Sequence, residues 1–243
     1  MTRRARLWVL LAGGAGLAVL LVVACLRLPH FGGDRHPYGD RAIHASLARR
    51  TANTVSSVNF DQRAFDTLGE MTILFSAVLG CVILLRQTRD EHRARPEPAE
   101  VALPVRRYAL VVLPVALLSG LYVIAHGQLS PGGGFQGGVV IASAWVLLYL
   151  AGSAKTYQRM TPKPLVEALE AAGAAAYVLI GAGGLLFAGA FLANFVPLGP
   201  PATLWSGGTI ALLSVSTGIE VAGGFVLLAT TFVEEALDER AEE

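Results

Sequence analysis

Six stretches of this chain stay apolar over about 18 residues or more, the length needed to cross a hydrocarbon layer, and nothing else constrains its fold as strongly. They run from Leu7 to Leu26, Leu68 to Leu85, Tyr108 to Ala125, Phe135 to Gly152, Leu165 to Phe195 and Gly207 to Phe232. Charged residues make up 15% of the 243 residues and avoid several of these runs, against about 25% in a soluble domain. In lipid every backbone polar group must be satisfied within the segment, so runs of this length are expected as helices. The expected fold is an all-α integral membrane protein with about six transmembrane helices. A net charge of +1, with no basic face, excludes nucleic acid as a partner class.

The side on which each loop lies follows from arginine and lysine. With the N-terminus inside, 13 of the 19 basic residues fall on the cytoplasmic side, including Arg3, Arg86, Arg106, Lys155 and Lys163. The other six, Arg27, Arg35, Arg41, Arg49, Arg50 and Arg63, sit in one outer loop over residues 27–67. The excess places both termini in the cytoplasm. Arg3, Arg4 and Arg6 before an apolar run also fit a cleaved signal, and Val22-Val-Ala-Cys25 resembles a lipoprotein cleavage box. The run exceeds the usual signal core of about 7–15 residues, so a retained first helix is expected. Cys25 and Cys81 fall at different depths in this topology, so no disulfide is expected between them, and no metal-ligand spacing occurs.

Along the chain, residues 27–67 read as an interfacial connector, with one or two helical turns near Ile43 to Arg50. Thr67 and Glu70 have the spacing of a capping box at the start of the second run. Residues 87–103, charged and proline-containing, are the best boundary between two modules. Pro114 is expected to kink the third helix. Glu167 and Glu170 follow Pro162 and Pro164 and are expected to offset a helix dipole. Residues 234–243 read as an acidic, frayed tail.

Two features carry chemistry. The segment His126-Gly-Gln-Leu-Ser-Pro-Gly-Gly-Gly-Phe-Gln-Gly-Gly138 joins the third and fourth runs. Pro131, Gly132, Gly133 and Gly134 end one helix, Phe135 opens the next, and Gly137 and Gly138 leave its first turn bare. Such a helix start favours an anion, a carboxylate or ordered water, and the missing side chains allow another backbone to come close; a tight polar turn remains the bland alternative. The second feature is Glu220, halfway along the sixth run. A carboxylate there costs about 2.5 kcal/mol or more unless it is protonated, paired or wetted. It is either a proton- or cation-handling group or a neutral acid that glues helices together. Small residues recur in most of the runs, so several helix faces are expected to meet protein rather than lipid, as in a larger assembly.

The segment from His126 to Gly138, continuing into Val139-Val-Ile-Ala-Ser-Ala-Trp-Val-Leu-Leu-Tyr-Leu-Ala151, resembles the signature of the MnhB-type subunit of multi-subunit Na+/H+ antiporters of the Mrp or Mnh type. Thr217-Gly-Ile-Glu-Val-Ala-Gly-Gly-Phe-Val-Leu-Leu228 is similar to the last helix of that subunit. Asn53-Thr-Val-Ser-Ser-Val-Asn-Phe-Asp-Gln-Arg-Ala-Phe-Asp-Thr-Leu-Gly-Glu70 resembles the end of the antiporters' large MnhA-type subunit, a pattern shared with a small subunit of membrane-bound hydrogenases. The resemblance implies a fusion: residues 1–100 as a two-helix MnhA-like module and residues 101–243 as a four-helix MnhB-like module. Residues 27–50 match neither. It further implies a multi-pass subunit of the bacterial or archaeal cell membrane, with no cofactor or catalytic site of its own. Its partners would be other antiporter or redox-complex membrane subunits, Na+ or H+, and the lipid bilayer. Glu220, Glu70 and Asp66 become candidates for an ion pathway, and His126 with Pro131 to Phe135, Gly137 and Gly138 a structural motif. A related redox complex and a purely structural scaffold remain the alternatives.

Overall fold

A computed structural model describes residues 3–28, 36–85, 102–151, 157 and 159–242. The described chain is helical. In order, the elements are α1 (Arg3–Leu26), α2 (Pro37–Ala48), α3 (Thr54–Ser57), a π-helical turn (Val58–Gln62), α4 (Ala64–Leu84), α5 (Leu103–Ala125), α6 (Gly134–Ala151), α7 (Lys163–Ala188) and α8 (Thr209–Glu242). Of the expected linker over 87–103, residues 87–101 lie outside the described residues, and with them the boundary between the two modules.

Among the described residues, five segments are long and apolar enough to cross a membrane: Leu7–Leu26, Ala64–Leu84, Leu103–Ala125, Lys163–Ala188 and Thr209–Val233. The fourth expected crossing, α6, carries a shorter apolar stretch, Gly134–Tyr149. At 1.5 Å per residue, its 18 residues extend about 27 Å.

The chain divides into two compact units, residues 1–40 and 41–243. In the first, α1 exposes every large side chain described along it, from Trp8 to Leu26. In the second, α8 is the axis: α4, α5, α6 and α7 all pack against it. The membrane window of α8 is 67% buried, against 17–22% for α4, α5 and α7. The outward faces of those three keep apolar side chains such as Ile73, Leu118 and Leu186 exposed, as expected of surfaces that meet lipid or another subunit.

Local chemistry accounts for the helix ends. Asn53 caps α3 by accepting from the Val55 and Ser56 N–H groups. Pro104 and Pro164 sit in the first turns of α5 and α7, where no N–H partner is lost. The N-terminus of α8 is capped from a distance: the Asn194 side chain accepts from Thr209 N at 3.0 Å and donates to Gly207 O at 2.8 Å.

Several boundaries differ from the expectation. Helix α4 begins at Ala64, so Thr67 lies inside its first turn and cannot be a cap; its hydroxyl instead donates to Asn59 O at 2.8 Å. The fifth run stops at Ala188 because Gly189 turns left-handed, with φ +78°. The chain then doubles back, with Leu192 N donating to Gly181 O at 3.0 Å and Phe195 seated over Gly183. The apolar character continues through this reversal, which is why hydropathy alone overran the helix. The acidic tail is not frayed: α8 continues as helix to Glu242. Near the connector, α2 is longer than the two turns expected and buries Ala42 and Ser46, leaving Ile43 and Leu47 exposed.

Candidate functional site

The Gly-rich segment begins where α5 ends. His126 N donates to Tyr122 O at 2.9 Å, and its ring stacks on Tyr122 with centroids 3.9 Å apart. The loop then folds over the helix end, with Leu129 N and Ser130 N both returning to His126 O. Pro131 is exposed at its tip. Gly132 and Gly133 both take φ +144°, a backbone region in which side chains are strained.

Beyond the loop, glycines alternate between two partners. A Cβ on Gly134 would collide with Ser214 O and Gly218 N, and one on Gly138 would sit 2.8 Å from Val221 Cβ, so this stripe lies directly on α8. Gly137 instead faces α5, where a Cβ would meet Gly120 O at 2.6 Å. Helix α6 is thus wedged between α5 and α8 at backbone distance. Phe135, at the start of α6, meets Phe225 of α8 edge-on with ring centroids 6.4 Å apart.

The loop is fastened by Asn53, which precedes α3. Its side-chain amide donates to Gly127 O at 2.7 Å and to Ser130 O at 2.8 Å, while its backbone N–H donates to Gln128 O at 3.1 Å. Gln128, itself 1% exposed, donates onward to Leu204 O at 2.8 Å. One buried asparagine and one buried glutamine therefore tie the connector, the Gly-rich loop and the segment before α8 together. Neither stands out in the sequence, because an isolated amide carries no spacing signal.

Under the loop lies a small, partly open recess of about 40 Å³, lined by Ser56, Asn59, Thr67, Glu70, Gly132, Gly133, Gln136 and Thr217 together with Phe60, Met71, Leu74, Phe135 and Val221. Glu70 is exposed at its edge, on the first turns of α4. The fold thus brings Glu70 together with the Gly-rich loop and with α8. Asp66 does not join them; it is exposed and forms an ion pair with Arg63 at 2.5 Å.

Glu220 lies elsewhere on α8. Thr217 and Val221 face the recess, whereas Glu220 turns toward α7 and is fully buried. The backbone of Gly173 on α7 presses on it: a Cβ there would collide with the Glu220 N–H and lie 2.7 Å from its Cα. Three residues earlier on α7, Glu170 is 5% exposed and packs on Gly223 of α8 in the same way. The expected dipole role of Glu170 therefore gives way to burial beside Glu220, while Glu167 stays exposed. Both Glu220 carboxyl oxygens and Glu170 Oε1 are buried without a hydrogen-bond partner among the described residues. A shared spacing could have signalled the pair: Glu170-Ala-Ala-Gly173 and Glu220-Val-Ala-Gly223 repeat one Glu-x-x-Gly pattern.

These features define a multi-pass helical membrane protein organised round one buried, carboxylate-bearing helix. Within that class, the chain belongs to the family described as "Domain related to MnhB subunit of Na+/H+ antiporter", whose model matches residues 104–227. It is 30% identical over 193 residues to the uncharacterized protein MJ1307 of Methanocaldococcus jannaschii, covering 71% of this chain and 73% of that one. It is 36% identical over 80 residues to the B-type subunit of the Na(+)/H(+) antiporter of Bacillus subtilis, covering 33% of this chain and 55% of that one. Among solved structures, it is similar to a chain of the membrane-bound sulfane sulfur reductase, an archaeal respiratory membrane complex. There the TM-score is 0.71 and the identity 30%, over 97% of both chains. It is also similar to a chain of the Mrp complex from Dietzia sp. DQ12-45-1b, with TM-score 0.70 and 25% identity, covering 100% of this chain and 27% of that one.

Proposed function

We propose that the chain is an accessory membrane subunit of a multi-subunit, Mrp-type cation/proton antiporter, without a catalytic site of its own. It would lie in the prokaryotic cell membrane with both termini cytoplasmic and line part of an ion path beside larger subunits. The observation that carries this reading is the recess under the Gly-rich loop. There a solvent-reachable carboxylate, Glu70, faces hydroxyl, amide and backbone groups from three separate elements. Such a mouth attracts cations from water without dehydrating the carboxylate. Asp66, exposed one turn before Glu70 on α4, adds negative charge at the approach, and Glu220 lies deeper in the bundle.

The two-module reading rests on the segment from Asn53 to Glu70, which resembles the end of an MnhA-type subunit, followed by the MnhB-like residues 101–243. Supporting it, the whole chain is matched inside one longer chain of the Mrp complex. A second reading, the equivalent subunit of a respiratory redox complex, is favoured by a specific observation. The matching chain of the sulfane sulfur reductase has nearly the same extent as this one, with 97% of each covered.

Affinity purification of the chain from its native membrane, with identification of the co-purifying subunits, tests the proposal and separates the two readings. Large antiporter-like subunits without iron–sulfur proteins support the first, and redox subunits support the second. Purification of the chain alone, with ion flux in liposomes, sinks both. If Glu70→Gln and Glu220→Gln both leave ion-coupled transport by the complex unchanged, the carboxylates have no place in the path.

A further inference from the structure

The contact between α7 and α8 is reciprocal. Gly173 packs against Glu220 and Gly223 against Glu170, so residues 170 to 173 of one helix run against 223 to 220 of the other. The two Glu-x-x-Gly segments therefore form an antiparallel pair, each glutamate opposite the other helix's glycine. This register separates the two glutamates by three residues, about 4.5 Å along the axis. The glycines let the backbones touch, which keeps both carboxyls inside the seam. Glu170 Oε1 lies over Gly224, 3.1 Å from where a Cβ would be, so both acids are held in one short stretch of the seam.

The seam is closed at both ends. On one side, Tyr177 of α7 and Ile210 and Leu213 of α8 belong to an apolar cluster with Phe60 and Met71. On the other, Val166 of α7 and Val226 and Leu227 of α8 cluster with Val78 of α4. Glu170 and Glu220 form a polar layer between these plugs, and three of its four oxygens lack a hydrogen-bond partner among the described residues. The neighbouring titratable groups do not neutralise the pair. Glu167 adds negative charge, and the Tyr177 hydroxyl is engaged by Ala64 O at 2.9 Å. On α4, Glu70 borders the recess and Asp66 pairs with Arg63.

Two carboxylates on positions less than one turn apart along a buried seam, with no cationic partner among the described residues, cannot both stay ionised. Ca²⁺ takes six or more oxygens, and among the described residues no three His, Cys, Asp or Glu side chains converge. A proton needs one lone pair and no coordination shell.

We propose that Glu170 and Glu220 together form a proton-binding site inside the α7–α8 seam, the pair of acids carrying one proton. The site deepens the reading of the chain as an ion-path subunit, on which its use in transport rests. It assigns the proton to a sealed position within this chain and leaves the open recess at Glu70 to hydrated cations. Loading takes a proton from water onto the doubly ionised pair when the seam opens, and release returns it.

The proposal is tested by infrared spectroscopy of the purified native complex at neutral pH. The difference between wild type and E170Q/E220Q is expected to show one neutral carboxyl and one carboxylate. Should the double variant fail to assemble, E170D and E220D keep both acids, and the neutral-carboxyl band is expected to shift in each. Two neutral carboxyls would show that the pair is only helix glue. Two carboxylates, or a band that moves in one Asp variant alone, would equally overturn the shared proton. The count does not depend on whether the complex is an antiporter or a redox enzyme, so its failure leaves the family reading intact.

Discussion

Glu70 and the Glu170–Glu220 pair place the same functional group in opposite surroundings. Glu70 stands at the rim of an open recess, exposed, among hydroxyls, an amide and bare glycine backbone. Glu170 and Glu220 lie between two apolar clusters, at a seam where backbones touch. A carboxylate in water keeps its charge at little cost, whereas one removed from water must be protonated or paired. The difference between the two regions comes from glycine placement. At the loop, Gly132 and Gly133 supply the positive φ of +144° that turns the chain over the recess; at the seam, Gly173 and Gly223 let two backbones touch.

Closing the seam is therefore the step whose disruption costs most. In Gly173→Ala the new methyl has only the Glu220 backbone to meet, which no rotamer change can clear. We expect a loss of roughly 3 kcal/mol, the upper end of overpacking, read as a fall in thermal stability of the purified complex. Wild-type stability in this variant would mean that the helices are not in backbone contact, and the contrast with the recess would disappear. Next comes the roof of the recess. Asn53→Ala removes donors to Gly127 O and Ser130 O and the α3 cap at once. A cost of about 2 kcal/mol is expected, together with greater protease sensitivity of the 126–134 loop. Asn53→Asp, which keeps the cap acceptor but not the donors, should recover only part of it.

The contrast was unevenly visible in the amino-acid sequence. Helix order was legible, because lipid leaves the backbone few alternatives and hydropathy reports length. Glu220 stood out as a lone carboxylate in an apolar run, and the Gly-rich loop as a break between two runs. Its partner Glu170 was hidden by its position close behind Pro164, where an acid ordinarily serves the helix dipole. Burial depends on the rotation of α7 against α8, which no local pattern reports. Thr67 and Glu70 show the converse: the capping-box spacing is present, but the π-helical turn at Val58–Gln62 advances the start of α4 to Ala64 and leaves Thr67 bonding to Asn59. The reversal at Gly189 was likewise masked, since the residues that fold back are as apolar as the helix they cover.

At the recess, neutralising the carboxylate should separate stability from transport. Glu70→Gln changes an exposed side chain that makes no buried contact, so stability is expected within about 0.5 kcal/mol of wild type. Cation-dependent proton movement by the complex in vesicles should nevertheless fall. Accessibility sharpens the point: a cysteine at position 70 should react with a water-soluble maleimide, and one at position 220 should not. Equal reactivity would place both positions in one continuous aqueous path.

The smallest effect is expected a turn earlier on α4. Asp66 pairs with Arg63, but both side chains are more than half exposed, so water and salt screen the attraction. Asp66→Asn should cost about 0.5 kcal/mol or less, and less still in high salt. If Asp66 contributes to ion movement, it does so by adding negative potential outside the recess, and that contribution must fade as ionic strength rises. Comparing wild type and Asp66→Asn at low and high salt therefore isolates it. A transport defect confined to low salt marks steering toward Glu70. A defect that persists at high salt places Asp66 in direct contact with the ion and moves the mouth of the path outward by one helical turn.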